Sequence, residues 1–140
     1  MQTRLAIGMR HEEQLTVSPE MLAARVGSGL VEVFSTAMMI AWMERTAVAA
    51  VQAALPEGLT TVGTGVDVRH LAATPVGMEV CFGAELVGIS ANGKGLTFRV
   101  EAHDAAGLIG EGTHQRVIVD KARFEARTAA KNAARGQATV

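Results

Sequence analysis

Residues 34–55, FSTAMMIAWMERTAVAAVQAAL, decide how this chain is read. The stretch is apolar almost all the way round, and its spacing predicts a helix of about 20 residues. Ser35 or Thr36 can cap its start, whereas Pro56 and Gly58 cannot continue it. A helix this apolar needs something wrapped around it. In its middle sits one carboxylate, Glu44, beside Arg45.

The sequence after the helix supplies the wrapping. The hydrophobic period changes to two at TTVGTGVDVRH (60–70), which sets Val66, Val68 and His70 on one face, expected to point inward. ATPVG (73–77) breaks the chain. MEVCFGAELVGIS (78–90) then points Met78, Val80, Phe82, Ala84 and Leu86 inward, with Cys81 read as a core-strand residue. The Asn-Gly pair in ANGKG (91–95) is a hairpin signal. LTFRVEAHD (96–104) alternates again, and a short turn leads into LIGEGTHQRVIVD (108–120). Upstream, EEQLTV (12–17) is strand-like and SPEMLAARV (18–26) can open a short helix, with Pro19 after Ser18. Strand, long helix and four strands in hairpins make an antiparallel sheet curled around a central helix, the α+β hotdog architecture. An exposed edge strand in such a sheet is commonly covered by pairing into a homodimer.

Bulk properties narrow the function. At 140 residues, 49% of them hydrophobic, the chain is the size of one domain with a real core. A net charge of −1 gives no footprint for nucleic acid or an anionic membrane. Cys81 is the only cysteine, which excludes an intramolecular disulfide and a multi-cysteine zinc site. The histidines and acids show no metal-ligand spacing, and no phosphate-binding glycine loop appears. MQTRLAIGMRHEEQL (1–15) lacks the apolar run of a secretory signal, and residues 37–43 are too few to span a bilayer. The expectation is a single domain over 1–140 in the cytoplasm, its Ala-, Lys- and Arg-rich tail beginning as a short helix and disordered from about residue 126.

Three residues are polar where the pattern calls for apolar groups. Taken alone, Glu44 reads as a solvated or ion-paired acid, Thr36 as a helix cap, and His70 as a satisfied rim histidine. Together a hydroxyl, a carboxylate and an imidazole supply what acyl transfer requires. Thr36 and Glu44 stand eight residues apart, about 12 Å along a helix, which suits an elongated pocket better than a tight triad. His114, between Gly112 and Arg116, either lines a site or faces solvent. The hotdog fold carries hydrolases, dehydratases and binding proteins, and all three classes remain open at this level.

Four segments carry a resemblance: EVFSTAMMIAWMER (32–45), VGTGVDVRHLAATPVG (62–77), AELVGI (84–89) and AHDAAGLIGEGTHQR (102–116). They closely resemble the fluoroacetyl-CoA thioesterase group of hotdog thioesterases, over roughly residues 7–125. The resemblance implies a homodimeric enzyme that hydrolyses small acyl-CoA thioesters, with coenzyme A as part of the substrate and no separate cofactor or metal. The family's threonine, glutamate and histidine would fall on Thr36, Glu44 and His70, and its acyl-site glycine on Gly63. Arg116 is a further candidate for contact with a phosphate or the pantetheine of coenzyme A, or else a surface ion pair. RVGSGLVEVF (25–34) has glycines and Leu30 where the group's fluoroacetyl-specific member has aromatic lid residues. The expected substrate is therefore a short-chain acyl-CoA, fluoroacetyl-CoA being one such compound.

Overall fold

The long helix forms as the apolar run and its stop signals dictate. A computed structural model of the chain describes residues 2–138, and the side chains of residues 2–133. In it α2 spans Thr36–Val51 and tightens into a 3-10 turn at Gln52–Ala54 before Pro56. Ahead of it come β1 (Arg10–Thr16), a 3-10 turn (Pro19–Met21) and a single-turn helix α1 (Ala23–Val26). Four strands follow: β2 (Leu59–His70), β3 (Glu79–Ile89), β4 (Gly95–Asp104) and β5 (Gly107–Asp120). They form one antiparallel sheet in the order β1-β3-β4-β5-β2, with α2 laid across it. This is the hotdog arrangement.

The alternation in β3 and β4 builds the core. Val80, Phe82, Ala84 and Leu86 face inward from β3, and Leu96, Phe98, Val100 and Ala102 from β4, all buried. They meet Met39, Met43, Ala47 and Val51, one helical stripe of α2. The β3–β4 hairpin turns through Asn92 and Gly93, with Gly93 at φ 77°. A side chain there would sit in the left-handed region, so glycine suits the turn.

Three expectations are corrected by the fold. The helix is not buried all round, because the sheet covers one side and leaves Ala37, Ala41, Arg45 and Ala49 exposed in a four-residue repeat. Arg45 pairs with Glu13 of β1, at 2.9 Å, and its guanidinium lies 4.6 Å over the ring of Trp42, which stacks on Phe82. Cys81 is exposed on the outer face, since the pleat that turns Val80 and Phe82 inward turns the residue between them outward. Val66 is 42% exposed, because β2 is an edge strand and its register shifts between Gly63 and Gly65.

The C-terminal segment also differs from expectation. Helix α3 runs from Lys121 to Ala138, through the part of the tail expected to be disordered. Its Ala, Lys and Arg content favours helix, Asp120 accepts a hydrogen bond from the Arg123 N–H at its start, and Lys121 pairs with Glu125 one turn on. Residues 139–140 lie outside the described residues. Among the described residues, no helix is long and apolar enough to cross a membrane.

Candidate active site

The start of α2 settles which hydroxyl caps it. Ser35 is the N-cap: its Oγ accepts from the Met38 N–H at 3.1 Å, and the side chain is buried. The Thr36 hydroxyl is left free, and its Oγ1 lies 2.7 Å from His70 Nδ1. Backbone hydrogen bonds hold the two segments together. Phe34 N–H donates to the Thr74 carbonyl, and Leu71 N–H to that of Ile109. Thr74, fully buried, donates in turn to Asp104, which anchors the loop that follows His70.

His70 ends β2 with its ring half-buried, and its Nε2 is buried without a hydrogen-bond partner among the described residues. Burial pushes this imidazole below the usual histidine range, against an opposing contribution from the Ala72 backbone. Burial thereby favours the neutral ring, which can accept a proton. Thr36 and His70 line a cavity of about 340 Å³ together with Val33, Ser35 and Leu71. That volume lies at the lower end of the range for small-molecule sites.

Glu44 lies two turns further along α2, and its side chain is 41% exposed, so it is not the fully buried acid its helix suggests. Its Oε2 accepts from Arg116 Nη1 at 3.1 Å and lies 3.7 Å from His114 Nε2. Gly63 brings β2 close against this carboxylate: a Cβ there would stand 2.5 Å from Glu44 Oε2. Thr36 and His70 thus form one cluster, while Glu44, Gly63 and Arg116 form a second. The structure does not bring Glu44 into contact with His70 within one chain.

Arg116 is neither a surface ion pair nor a residue reaching outward. It is 7% exposed, and it donates from Nε to Thr61 Oγ1 at 2.8 Å and from Nη2 to the Thr61 carbonyl at 3.0 Å. With Nη1 on Glu44, the guanidinium is committed to the protein's own groups. His114, which sequence left undecided, is 1% exposed and belongs to this second cluster, 3.1 Å from Arg116 Nη1. The one local signal available for it was alternation, which puts His114 and Arg116, two residues apart, on one face of β5. Which face that was depended on how β5 pairs with β2. Among the described residues, no group of three or more His, Cys, Asp or Glu side chains is arranged to hold a metal ion.

A hydroxyl and an imidazole thus meet at a helix N-terminus, with a carboxylate along the same helix, on a hotdog scaffold. Residues 17–122 match the family model of the fluoroacetyl-CoA-specific thioesterase, and the chain belongs to that family. It is 41% identical over 103 residues to the fluoroacetyl-CoA thioesterase of Streptantibioticus cattleyicolor, covering 74% of this chain and 73% of that one. Among solved structures, a fluoroacetyl-CoA-specific thioesterase variant in complex with fluoroacetate and CoA superimposes with a TM-score of 0.80 at 33% identity, over 86% of this chain and 99% of the other. A thioesterase superfamily member from Thermus thermophilus gives 0.84 at 32% identity, over 95% and 96%. Membership in a thioester-hydrolase family decides among the three classes that the residues alone left open.

Proposed function

We propose that this chain hydrolyses short-chain acyl-CoA thioesters, fluoroacetyl-CoA among them, to the free acid and coenzyme A. The observation that carries this reading is the 2.7 Å approach of Thr36 Oγ1 to a neutral His70, at the N-terminus of α2 and on the wall of a cavity. The thioester carbonyl oxygen would lie against the Thr36 hydroxyl and the free N–H groups of the first helical turn, where developing negative charge is stabilised. Glu44 takes a proton from a water that attacks the carbonyl carbon, or attacks that carbon itself to form an anhydride, which a water molecule then hydrolyses to the free acid. The C–S bond breaks as the C–O bond forms, and the thiolate leaves as the thiol, neutral His70 accepting a proton released by the water and passing it to the sulfur. Arg116 serves to hold Glu44 and does not reach for a phosphate.

The two clusters become one site if β2 pairs with its own copy. β2 is a 12-residue edge strand with its outer side free among the described residues. Antiparallel pairing centred between Val66 and Asp67 sets Gly63 opposite His70 of the partner subunit, and so brings Glu44 towards that histidine. The homodimer proposed here covers the edge and completes the site. A cytoplasmic setting accords with a coenzyme A substrate and a lone, exposed cysteine.

Thiol release from acetyl-, propionyl- and fluoroacetyl-CoA, followed with a thiol reagent, tests the activity. Release that falls to a small residual rate in both Glu44→Gln and His70→Ala supports the reading, and binding without release by the unaltered chain overturns it. Mixing those two inactive variants tests the shared site. Random reassortment of subunits leaves one intact site in half of the dimers, so about a quarter of wild-type activity returns. A site contained within one chain recovers none.

A further inference from the structure

His114 carries a hydrogen-bond pattern that only one protonation state satisfies. A guanidinium offers N–H donors and no acceptor. Arg116 Nη1 lies 3.1 Å from His114 Nε2, so that nitrogen must present its lone pair. The imidazole proton then sits on Nδ1, which donates to the Gly65 carbonyl at 2.8 Å. The ring is neutral, its tautomer fixed by a cation on one side and a backbone carbonyl on the other. It is fully buried, tilted against Phe98 with centroids 6.3 Å apart.

Both of its partners act on Glu44. Arg116 donates to the Glu44 carboxylate from the nitrogen that contacts His114. Gly65 closes the register shift that begins at Gly63, the residue pressed against Glu44 Oε2. One ring therefore ties the cation that holds the acid to the strand irregularity that abuts it.

We propose that His114 is a positioning residue for the hydrolytic site, setting the place of the Glu44 carboxylate through Arg116 and through the Gly63–Gly65 bulge. This rests on the reading of Glu44 as a catalytic group. No other side chain of similar size offers an acceptor and a donor on opposite edges of a rigid ring. Protonating His114 would set a second cation against Arg116, and a purely apolar replacement would strip both partners of a buried hydrogen bond.

The test is a double-mutant cycle in kcat on the full chain. His114→Asn keeps an amide donor for the Gly65 carbonyl and loses the acceptor for Arg116, whereas His114→Gln places an acceptor near Nε2 and gives up the donor. Each is expected to lower kcat about 10- to 100-fold with KM little changed, the scale of an ångström-sized misplacement of a reacting group. In the Glu44→Gln background the same substitutions should cost less than about twofold more, because their effect runs through the missing acid. Wild-type kcat in both His114 variants overturns the proposal, as do losses that multiply fully in the Glu44→Gln background. Losses that disappear once rates are corrected for the folded fraction, measured by circular dichroism, also overturn it. Full activity of Glu44→Gln alone instead overturns the functional reading beneath it, which keeps the two failures distinct.

Discussion

Thr36 Oγ1 and His70 Nδ1 meet at 2.7 Å although 34 residues separate them, and the contact exists because Ser35 takes the capping role that Thr36 would otherwise fill. Two adjacent hydroxyls therefore have separate tasks. Ser35→Ala should cost about 1 kcal/mol of stability with the chemistry largely preserved. Thr36→Ala should leave the melting temperature within a degree or two and lower kcat about 10- to 100-fold, with Thr36→Ser restoring most of it. Thermal melts and steady-state thioester hydrolysis on the three variants check this. A reversed pattern, with Thr36→Ala unstable but active, would count against the division of labour.

Gly63→Ala separates activity from stability in another way. The added Cβ would meet the far end of the Glu44 side chain at 2.5 Å, and Arg116 Nη1 and His114 Cε1, both buried, at 3.3 Å each, so the carboxylate swings aside and loosens its hold on Arg116. Stability should fall by about 1–2 kcal/mol, while displacement of the acid reduces kcat about 10-fold or more. Comparing denaturant midpoints with turnover numbers reads both effects. Unchanged turnover would show that Gly63 does not constrain the acid.

Arg116→Lys should not behave as a conservative change. An ammonium cannot reproduce the fork that serves Thr61 Oγ1, the Thr61 carbonyl and Glu44 together. Leaving buried groups of β2 unpaired is expected to cost about 2–4 kcal/mol, visible as a lower urea midpoint. Arg116→Met should cost at least as much.

Acidification offers a test without mutation. Burial lowers the proton affinity of both His70 and His114 in the folded protein. The unfolded chain therefore binds more protons than the native one below the ordinary histidine pKa, about 6.5, and stability falls as pH drops from there towards the depressed native values. Above that window the two rings are neutral in both states and contribute no pH dependence. Melting temperatures between pH 8 and 5 should decline on the acid side, and a flat profile over pH 6.5–5 would contradict the burial of these rings. Hydrolysis should fade in the same direction, because a protonated His70 can no longer accept a proton.

Periodicity made most of the frame readable. The stop at Pro56, the alternation through Phe82 and Phe98, and the Asn92–Gly93 turn each depend on a few neighbouring residues, so sequence alone locates them. Thr36, Glu44 and His70 stood out because each is polar within an apolar pattern. His114 and Arg116 did not, because their burial depends on the pairing of β5 with β2, and Gly65 meets Gln115 only after a register shift that no short window encodes. The choice between Ser35 and Thr36 as cap likewise turned on the distant Thr74 carbonyl, which holds Phe34 in place. Cys81 was legible and misread: the alternation that places its neighbours inward places it outward.

Trp42 stacks on Phe82 beneath the guanidinium of Arg45, which belongs to the exposed stripe of α2. The chain has one tryptophan and no tyrosine. Excitation in the near ultraviolet therefore reports on a single address, the seam between the central helix and the sheet. Its emission is a built-in optical gauge of whether that helix is seated, free of the overlapping signals that complicate most proteins of this size.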